Sequence, residues 1–186
     1  MAALGAALAL NWPLEDCLSG LKNLPIIPGR LEPIENACNL TVLVDYAHSP
    51  DALQTVLSTI RSISPSNRQI WTMFGCGGDR DRSKRPQMGA TAAQLSDHCV
   101  LTSDNPRSED PLSIINDVRS GITKSIHIEP DRSKAIEWII AAAEPGDIVL
   151  LAGKGHERTQ SIGNQVIELD DRALARTALR RREQRP

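Results

Sequence analysis

The chain has 186 residues, of which 40% are hydrophobic and 24% charged, and its formal net charge is -2. This length favours one main domain with at most a small appendage. The charge lacks the basic excess that nucleic-acid-binding proteins carry, and 3% aromatic residues leave little for base stacking. The four cysteines are far apart and form no CxxC pair, so a zinc or redox motif is not predicted. The sequence therefore predicts a globular cytoplasmic protein with reduced thiols that binds no nucleic acid.

Residues 1–32 differ from the rest of the chain. The apolar start MAALGAALAL lacks a basic leader and is too short to cross a bilayer, so no membrane association is predicted. It reads as the first of two helices. The segment NLPIIPGRLEPI follows, and its prolines and glycine predict a linker or hinge. We expect a domain boundary near Gly29 to Pro33, with the main domain over 33–186.

Apolar runs alternate with amphipathic stretches from residue 40 onward. The runs predict strands over 40–45, 69–74, 98–102, 125–129 and 147–153, and the stretches predict helices over 51–63, 86–95, 111–122, 132–143 and from about 172. Repeated strand–helix order is typical of a parallel sheet with helices on both faces. The predicted fold class is α/β, a Rossmann-like doubly wound and mostly parallel sheet. For the basic tail from Arg172 we expect a solvated helix face and a frayed end.

Four polar loops follow four of these strands. They read DYAHSPD, GCGGDRDRSKRP, SDNPRSEDP and AGKGHERTQ. In an open parallel sheet, ligands bind at the carboxyl ends of the strands, where such loops meet. The connections at the opposite ends, SISPSNR and AAAEPG, carry ordinary turn residues. The sequence therefore predicts one site at the edge formed by the four loops.

The residue types in two of these loops suit an amino-acid ligand. Asn105 and Arg107 can bind a carboxylate, the arginine through two parallel hydrogen bonds, and Pro106 fixes their spacing. Glu157 can accept hydrogen bonds from an ammonium group, and Gly153 permits close approach of the backbone. Cations in the glycine-rich loop would suit a second carboxylate. A solvated turn is the competing interpretation of each loop taken alone.

The other two loops are less specific. AGKGHERTQ is not a phosphate-binding loop of the Walker type, because Lys154 is followed by Gly155 where that motif needs a hydroxyl. Asp45 and His48 in DYAHSPD can hold a ribose or the edge of a nucleotide. A lone histidine is more often a capping or packing residue, so both interpretations of His48 stay open.

The stretches DYAHSPDAL, FGCGGDRDRSKRPQMG, SDNPRSEDP and LLAGKGHE, in this order, resemble the C-terminal domain of the Mur ligases. The resemblance covers about residues 24–180. In that family the DNPR form of the third loop goes with meso-diaminopimelate as substrate. The resemblance implies diaminopimelate contacts for Arg80, Asn105, Arg107, Gly153 and Glu157, and ATP contacts for Arg30, Asp45 and His48.

The activity that this resemblance implies is an ATP-dependent ligation. ATP and Mg²⁺ convert the D-glutamate carboxylate of UDP-N-acetylmuramoyl-L-alanyl-D-glutamate into an acyl phosphate, which the amine of diaminopimelate attacks. Complete family members also have a UDP-sugar domain and a central ATPase domain with most of the magnesium ligands. Residues 1–28 resemble the last helices of that central domain, so we expect a fragment or truncated product that folds but does not ligate alone. No catalytic residue is assigned.

Two alternatives stay open. One is a stand-alone amino-acid-binding or interaction module that has lost catalysis. The other is a folylpolyglutamate-type ligase domain, which shares the fold but uses another acceptor. The DNPR and GKGHE loops argue against the second alternative.

Overall fold

The structure, a computed structural model, describes residues 2–184, so Met1 and the last two residues of the predicted tail lie outside it. The helices are α1 (Ala2–Ala9), α2 (Leu14–Lys22), α3 (Pro50–Ile63), α4 (Lys84–Leu95), α5 (Pro111–Arg119), α6 (Arg132–Ala142) and α7 (Asp171–Glu183). The strands are β1 (Glu32–Ile34), β2 (Thr41–Asp45), β3 (Ile70–Phe74), β4 (His98–Leu101), β5 (His127–Ile128), β6 (Ile148–Ala152), β7 (Thr159–Ile162) and β8 (Gln165–Glu168).

The main sheet has six strands in the order β1-β2-β6-β3-β4-β5. All of its neighbouring strands run parallel except β1, which pairs antiparallel with β2 at the edge. Strand β6 lies between β2 and β3, and all five of its residues are buried. A continuous apolar run such as IVLLA is what a parallel strand covered on both faces requires. The predicted Rossmann-like doubly wound sheet is confirmed.

Helices cover both faces of this sheet. On one face, α3, α4 and α5 pack their apolar stripes against alternate strand residues such as Phe74 and Leu150. On the other, α6 and α7 pack against Met73, Val149 and Leu151. Neighbouring residues of β3 and β6 thus enter opposite cores, as the alternation of a strand demands.

Helix α7, which carries the basic tail, has a buried face that was not predicted. Its Ala175, Ala178 and Leu179 are buried in the core that it shares with α6. One face of the helix is therefore part of the core, and its arginine-rich side is the solvated face. Small and apolar side chains spaced three and four residues apart supply the buried stripe between the arginines.

Three strands were not predicted. β1 lies in the segment interpreted as a hinge, where Pro33 is tolerated because the strand is at the sheet edge. β7 and β8 form a separate antiparallel hairpin after the fourth polar loop. The hairpin is mostly exposed, so it lacks the alternation that marks a half-buried strand.

The strand register places the four polar loops at one edge. Asp45, at the end of β2, is opposite Ala152, at the end of β6. Phe74, at the end of β3, is opposite Leu101, at the end of β4. The loops after these four strands therefore leave the sheet side by side, as predicted.

The N-terminal helices lie outside this core. Helix α2 contacts α1 and buries none of its residues. Large apolar side chains are exposed along this segment, among them Leu10, Trp12, Leu24, Ile26 and Ile27. None of the helices within residues 2–184 has the length and apolar character needed to cross a membrane.

Candidate functional site

A cleft of about 390 Å³ opens at the edge where the four loops meet. Its volume is within the range of small-molecule sites. The cleft is lined by six of the eight residues predicted from sequence: His48, Arg80, Asn105, Arg107, Gly153 and Glu157. The structure also brings to it residues that were not predicted, of which Tyr46, Arg85 and Asp104 are used below.

Arg107 has an unusual backbone conformation for its residue type. Its φ is +52°, in the left-handed region that non-glycine residues seldom adopt. Its Nη1 donates to the carbonyl of Gly78 at 2.7 Å, which orients the guanidinium across the mouth of the cleft. Within residues 2–184, its Nη2 and Nε atoms donate to no protein group. Those donors are available to a bound anion.

Asn105, Lys154 and Glu157 form a closed hydrogen-bonded triangle. Asn105 Nδ2 donates to Glu157 Oε2 at 3.1 Å, and Lys154 Nζ donates to Asn105 Oδ1 at 3.2 Å and to the same Glu157 oxygen at 3.1 Å. Burial opposes ionisation of Glu157, but the bonds from Lys154 and Asn105 hold the pKa of its carboxyl below the ordinary value. Asn105 and Glu157 are therefore partly engaged with each other and are not wholly free for a ligand.

Lys154 was missed as a site residue. Its side chain is fully buried and ion-paired with Glu157. A buried lysine is rare unless it is paired, so its role is to hold the two residues that it bridges. Its position directly after Gly153 at the end of an apolar strand was the available signal.

Asp104 is the second residue that was missed. It is 7% exposed and lines the cleft, and its carboxylate accepts no hydrogen bond from the part of the chain that the structure describes. Burial raises the pKa of the Asp104 carboxyl, while the nearby charges of Arg132 and Lys154 oppose the rise. A buried carboxylate without a partner is costly. A cationic group bound in the cleft would relieve that cost.

Gly153 makes room for this carboxylate. A Cβ on Gly153 would lie 2.6 Å from Asp104 Oδ2, and the φ of Gly153 is +115°. For Gly153→Ala we expect a loss of about 1–3 kcal/mol in the free energy of unfolding, because both the backbone and the carboxylate must shift. Urea denaturation measures it. Gly163→Ala is the matched control, since Gly163 also has a positive φ, +56°, but nothing lies within 4 Å of its added Cβ. Equal losses for the two variants would contradict the crowding at Gly153.

Arg85 braces the loops on either side of the cleft. Its side chain is almost fully buried and makes two bonds to Glu109, at 2.7 and 3.0 Å, and one to Asp117 at 2.9 Å. The hydrogen bonds from Arg85 are the main reason that the pKa of Glu109 is lowered to about 2.

Arg80 differs from Arg85. It is exposed at the rim of the cleft and makes no ion pair within the described residues.

An aromatic cluster forms one side of the cleft. The guanidinium of Arg30 lies 5.1 Å from the centre of the Tyr46 ring, and the ring of His48 is 4.6 Å from that of Tyr46. The cluster presents a cation and aromatic faces together, which suits a nucleotide base and its phosphates. Tyr46 was not predicted. Arg30 and His48 both lie against the Tyr46 ring, and their contact with ATP stays a prediction.

Asp45 occupies a different position from these residues. It is buried, and its two carboxylate oxygens accept hydrogen bonds from the amides of Leu31, at 2.7 Å, and Ala47, at 2.8 Å. What the structure shows is a carboxylate that ties the hinge to the end of β2. Its contact with ATP stays a prediction.

A family model described as "Mur ligase, glutamate ligase domain" matches residues 29–155. The chain belongs to the Mur ligase family. This confirms the resemblance that the four loop motifs carry. Among Mur ligases, the UDP-N-acetylmuramoyl-L-alanyl-D-glutamate--2,6-diaminopimelate ligase of Geobacillus kaustophilus is 47% identical over 185 residues, covering 98% of this chain and 37% of the relative.

Solved structures agree with this assignment. A structure of a UDP-N-acetylmuramoyl-L-alanyl-D-glutamate--2,6-diaminopimelate ligase superposes with a TM-score of 0.79 and 40% identity, over 99% of this chain and 38% of that one. A folylpolyglutamate synthase from Thermotoga maritima, at 19% identity and a TM-score of 0.58 over 81% of this chain and 34% of its own, shares the fold alone. The chain thus spans less than two fifths of the length of the diaminopimelate ligases that it matches.

Proposed function

We propose that this chain supplies the amino-acid site of an ATP-dependent ligase that adds meso-diaminopimelate to UDP-N-acetylmuramoyl-L-alanyl-D-glutamate. One observation carries the proposal. The same cleft is lined by Arg107, whose Nη2 and Nε donate to no described group, and by Asp104, whose carboxylate accepts no hydrogen bond from one. A ligand with a carboxylate and an ammonium group satisfies both residues.

The roles of the lining residues follow from their chemistry. Arg107 binds one carboxylate of the ligand through a planar pair of donors. Asp104 binds an ammonium group, and Glu157 does so through its second oxygen, Oε1, which accepts no hydrogen bond from the described residues. Arg80 at the rim binds the second carboxylate of diaminopimelate. Gly153 leaves the space in which the Asp104 carboxylate lies.

We propose that ATP contacts the chain at Arg30, Tyr46 and His48. In the ligation, the D-glutamate carboxylate takes the terminal phosphate of ATP, giving an acyl phosphate and ADP. The amine of diaminopimelate then attacks the acyl carbon, the amide bond forms, phosphate leaves and the amine loses a proton. The residues of this chain hold and orient the amine, so no catalytic residue is assigned to it.

The described residues do not form a complete magnesium site by themselves. Within 2–184, no group of three or more His, Cys, Asp or Glu side chains is placed to hold a metal ion. We therefore propose that the ligands of Mg²⁺ lie in the rest of the ligase, and no step is routed through the ion here.

The division of the chain is part of the proposal. We propose that residues 1–32 are the end of a central ATPase domain and the hinge, and that 33–186 form the C-terminal domain of a cytoplasmic ligase. The many exposed apolar side chains of the N-terminal segment support this, because apolar surface of this kind is typical of an interface. The other domains of the ligase would also bind the UDP-linked dipeptide.

A larger groove, of about 510 Å³, lies between the hinge and α7. Of its charged lining residues, Glu32 and Arg176 are paired with each other at 3.6 Å. The smaller cleft is the better candidate because the four polar loops meet there and Arg107 and Asp104 line it.

Calorimetric titration of the 186-residue chain with meso-diaminopimelate tests the proposal. We expect saturable binding without ATP, weaker binding of L-lysine, which lacks the second carboxylate, and no ATP-dependent coupling to the UDP-linked dipeptide by this chain alone. Stronger binding of L-glutamate would favour a folylpolyglutamate-type acceptor. No binding of any of the three amino acids would contradict the proposed site, and ligation by the chain alone would contradict its proposed dependence on the other domains.

A further inference from the structure

The hairpin β7–β8 contributes almost nothing to either core. All four residues of β8 are exposed, and Gln160 is the one buried residue of β7. Apolar side chains on the hairpin, such as Val166 at 68% exposure, face solvent. An isolated two-stranded hairpin is marginal in water, so contacts elsewhere must hold this one in place.

Side-chain contacts join this hairpin to the loop after β4. The Gln160 amide is 4% exposed and donates from Nε2 to the carbonyl of Asp104 at 2.5 Å. The backbone amide of Ser161 donates to Asn105 Oδ1 at 3.0 Å. Two consecutive hairpin residues therefore fix two consecutive site residues.

Backbone contacts extend the same junction to Arg107. Its amide donates to the carbonyl of Ser161 at 3.0 Å, and its carbonyl accepts from the amide of Gly163 at 2.6 Å. Arg107 thereby forms a parallel bridge with Ile162. The bridge holds the backbone of Arg107 at the left-handed φ that aims its guanidinium, a conformation that persists only where the surroundings impose it.

We infer that the hairpin is a template for the amino-acid site and that Gln160 is a positioning residue for Asp104, Asn105 and Arg107. Gln160 touches no ligand in this account. It acts by holding the loop 104–107 in the conformation that binds one. The inference rests on the proposed function for the identity of the ligand, while the loop conformation itself is measurable without any ligand.

The test compares Gln160→Met with Gln165→Met. Methionine is close to glutamine in size but lacks the amide donor, and Gln165 is an exposed residue on the partner strand of the same hairpin. For Gln160→Met we expect faster hydrogen exchange at the Arg107 amide, measured by NMR without ligand. We also expect meso-diaminopimelate to bind about fivefold to tenfold more weakly, the usual effect of losing one buried hydrogen bond. ATP binding should not change, because the residues proposed to contact ATP lie outside this loop, and the urea midpoint should fall only slightly, since Gln160 belongs to neither core. Gln165→Met should match the unchanged chain throughout.

The outcomes separate the two proposals. If the unchanged chain does not bind meso-diaminopimelate, the proposed function fails, and exchange at Arg107 still decides the role of the hairpin. If Gln160→Met and Gln165→Met behave alike in both exchange and binding, the inference is overturned. Should Gln160→Met not fold, Gln160→Asn replaces it, because asparagine keeps an amide at a shorter reach. Exchange and affinity unchanged in Gln160→Asn would also overturn the inference.

Discussion

Replacing Arg132 with methionine is expected to lower the free energy of unfolding by about 3–5 kcal/mol, the cost of breaking a buried ion pair. The side chains of Arg132 and Asp171 are both fully buried, and Arg132 Nη2 lies 2.7 Å from Asp171 Oδ2. Arg132 also donates to the carbonyls of Ser103 at 3.2 Å and Ala152 at 2.9 Å. Its removal leaves a buried carboxylate and two carbonyls without their donor.

Urea denaturation of the 186-residue chain measures this effect. Arg181→Met is the matched control, because Arg181 also pairs with a carboxylate, that of Glu137, but both side chains are at least half exposed. The control should lose less than about 1 kcal/mol. In Arg132→Met/Asp171→Leu part of the loss should return, since no charge is left buried alone. Similar losses for Arg132→Met and Arg181→Met would show that the buried pair does not stabilise the fold as described.

Replacing Arg107 with alanine is expected to weaken meso-diaminopimelate binding by about 1.5–3 kcal/mol, roughly tenfold to 150-fold. The reason is the loss of the paired donors that would bind a carboxylate of the ligand. Alanine and arginine pay a similar cost at a φ of +52°, so the comparison isolates the side chain. Arg107→Lys should recover little affinity, because an ammonium group cannot reproduce the planar fork.

Calorimetry on the same chain measures this change. Arg119→Ala, at the exposed end of α5, is the control and should bind like the unchanged chain. The bond from Arg107 to the Gly78 carbonyl is also lost, so hydrogen exchange of the loop amides should accompany the titration. Unchanged affinity in Arg107→Ala would favour the interpretation of the SDNPRSEDP loop as a solvated turn.

Much of the fold follows from local pattern. The strand over 148–152 was predicted at 147–153 because a strand covered on both faces is apolar throughout. Proline at the first turn marked the start of α5 at Pro111. The sheet edge that carries the candidate site could also be predicted, because ligands bind at the carboxyl ends of the strands in an open parallel sheet.

The elements that were missed depend on distant contacts. β7 and β8 are short and exposed, and the bonds that hold them come from residues 104–107, more than fifty positions earlier. β1 contains a proline and pairs only at the sheet edge. Neither the long-range bonds of β7 and β8 nor the edge pairing of β1 can be predicted from a window of neighbouring residues.

The sequence predicted where the candidate site lies better than it predicted which of its residues bond to each other. From their residue types, Asn105 and Glu157 were predicted to contact the ligand directly. The structure shows that they are hydrogen-bonded to each other and that Lys154 donates to both. Asp104 could not be distinguished from an ordinary turn carboxylate before the structure showed that it is buried and that no residue within 2–184 donates a hydrogen bond to its carboxylate. These properties arise from tertiary packing, which residue type does not encode.

The measurement that tests the central claim most directly is an NMR titration of the ¹⁵N-labelled chain with meso-diaminopimelate. We predict saturable shifts at the amides of Asp104, Asn105, Arg107, Gly153 and Glu157, all of which line the cleft. Shifts confined to the groove between the hinge and α7, or no saturable shift at all, would contradict an amino-acid site in this cleft.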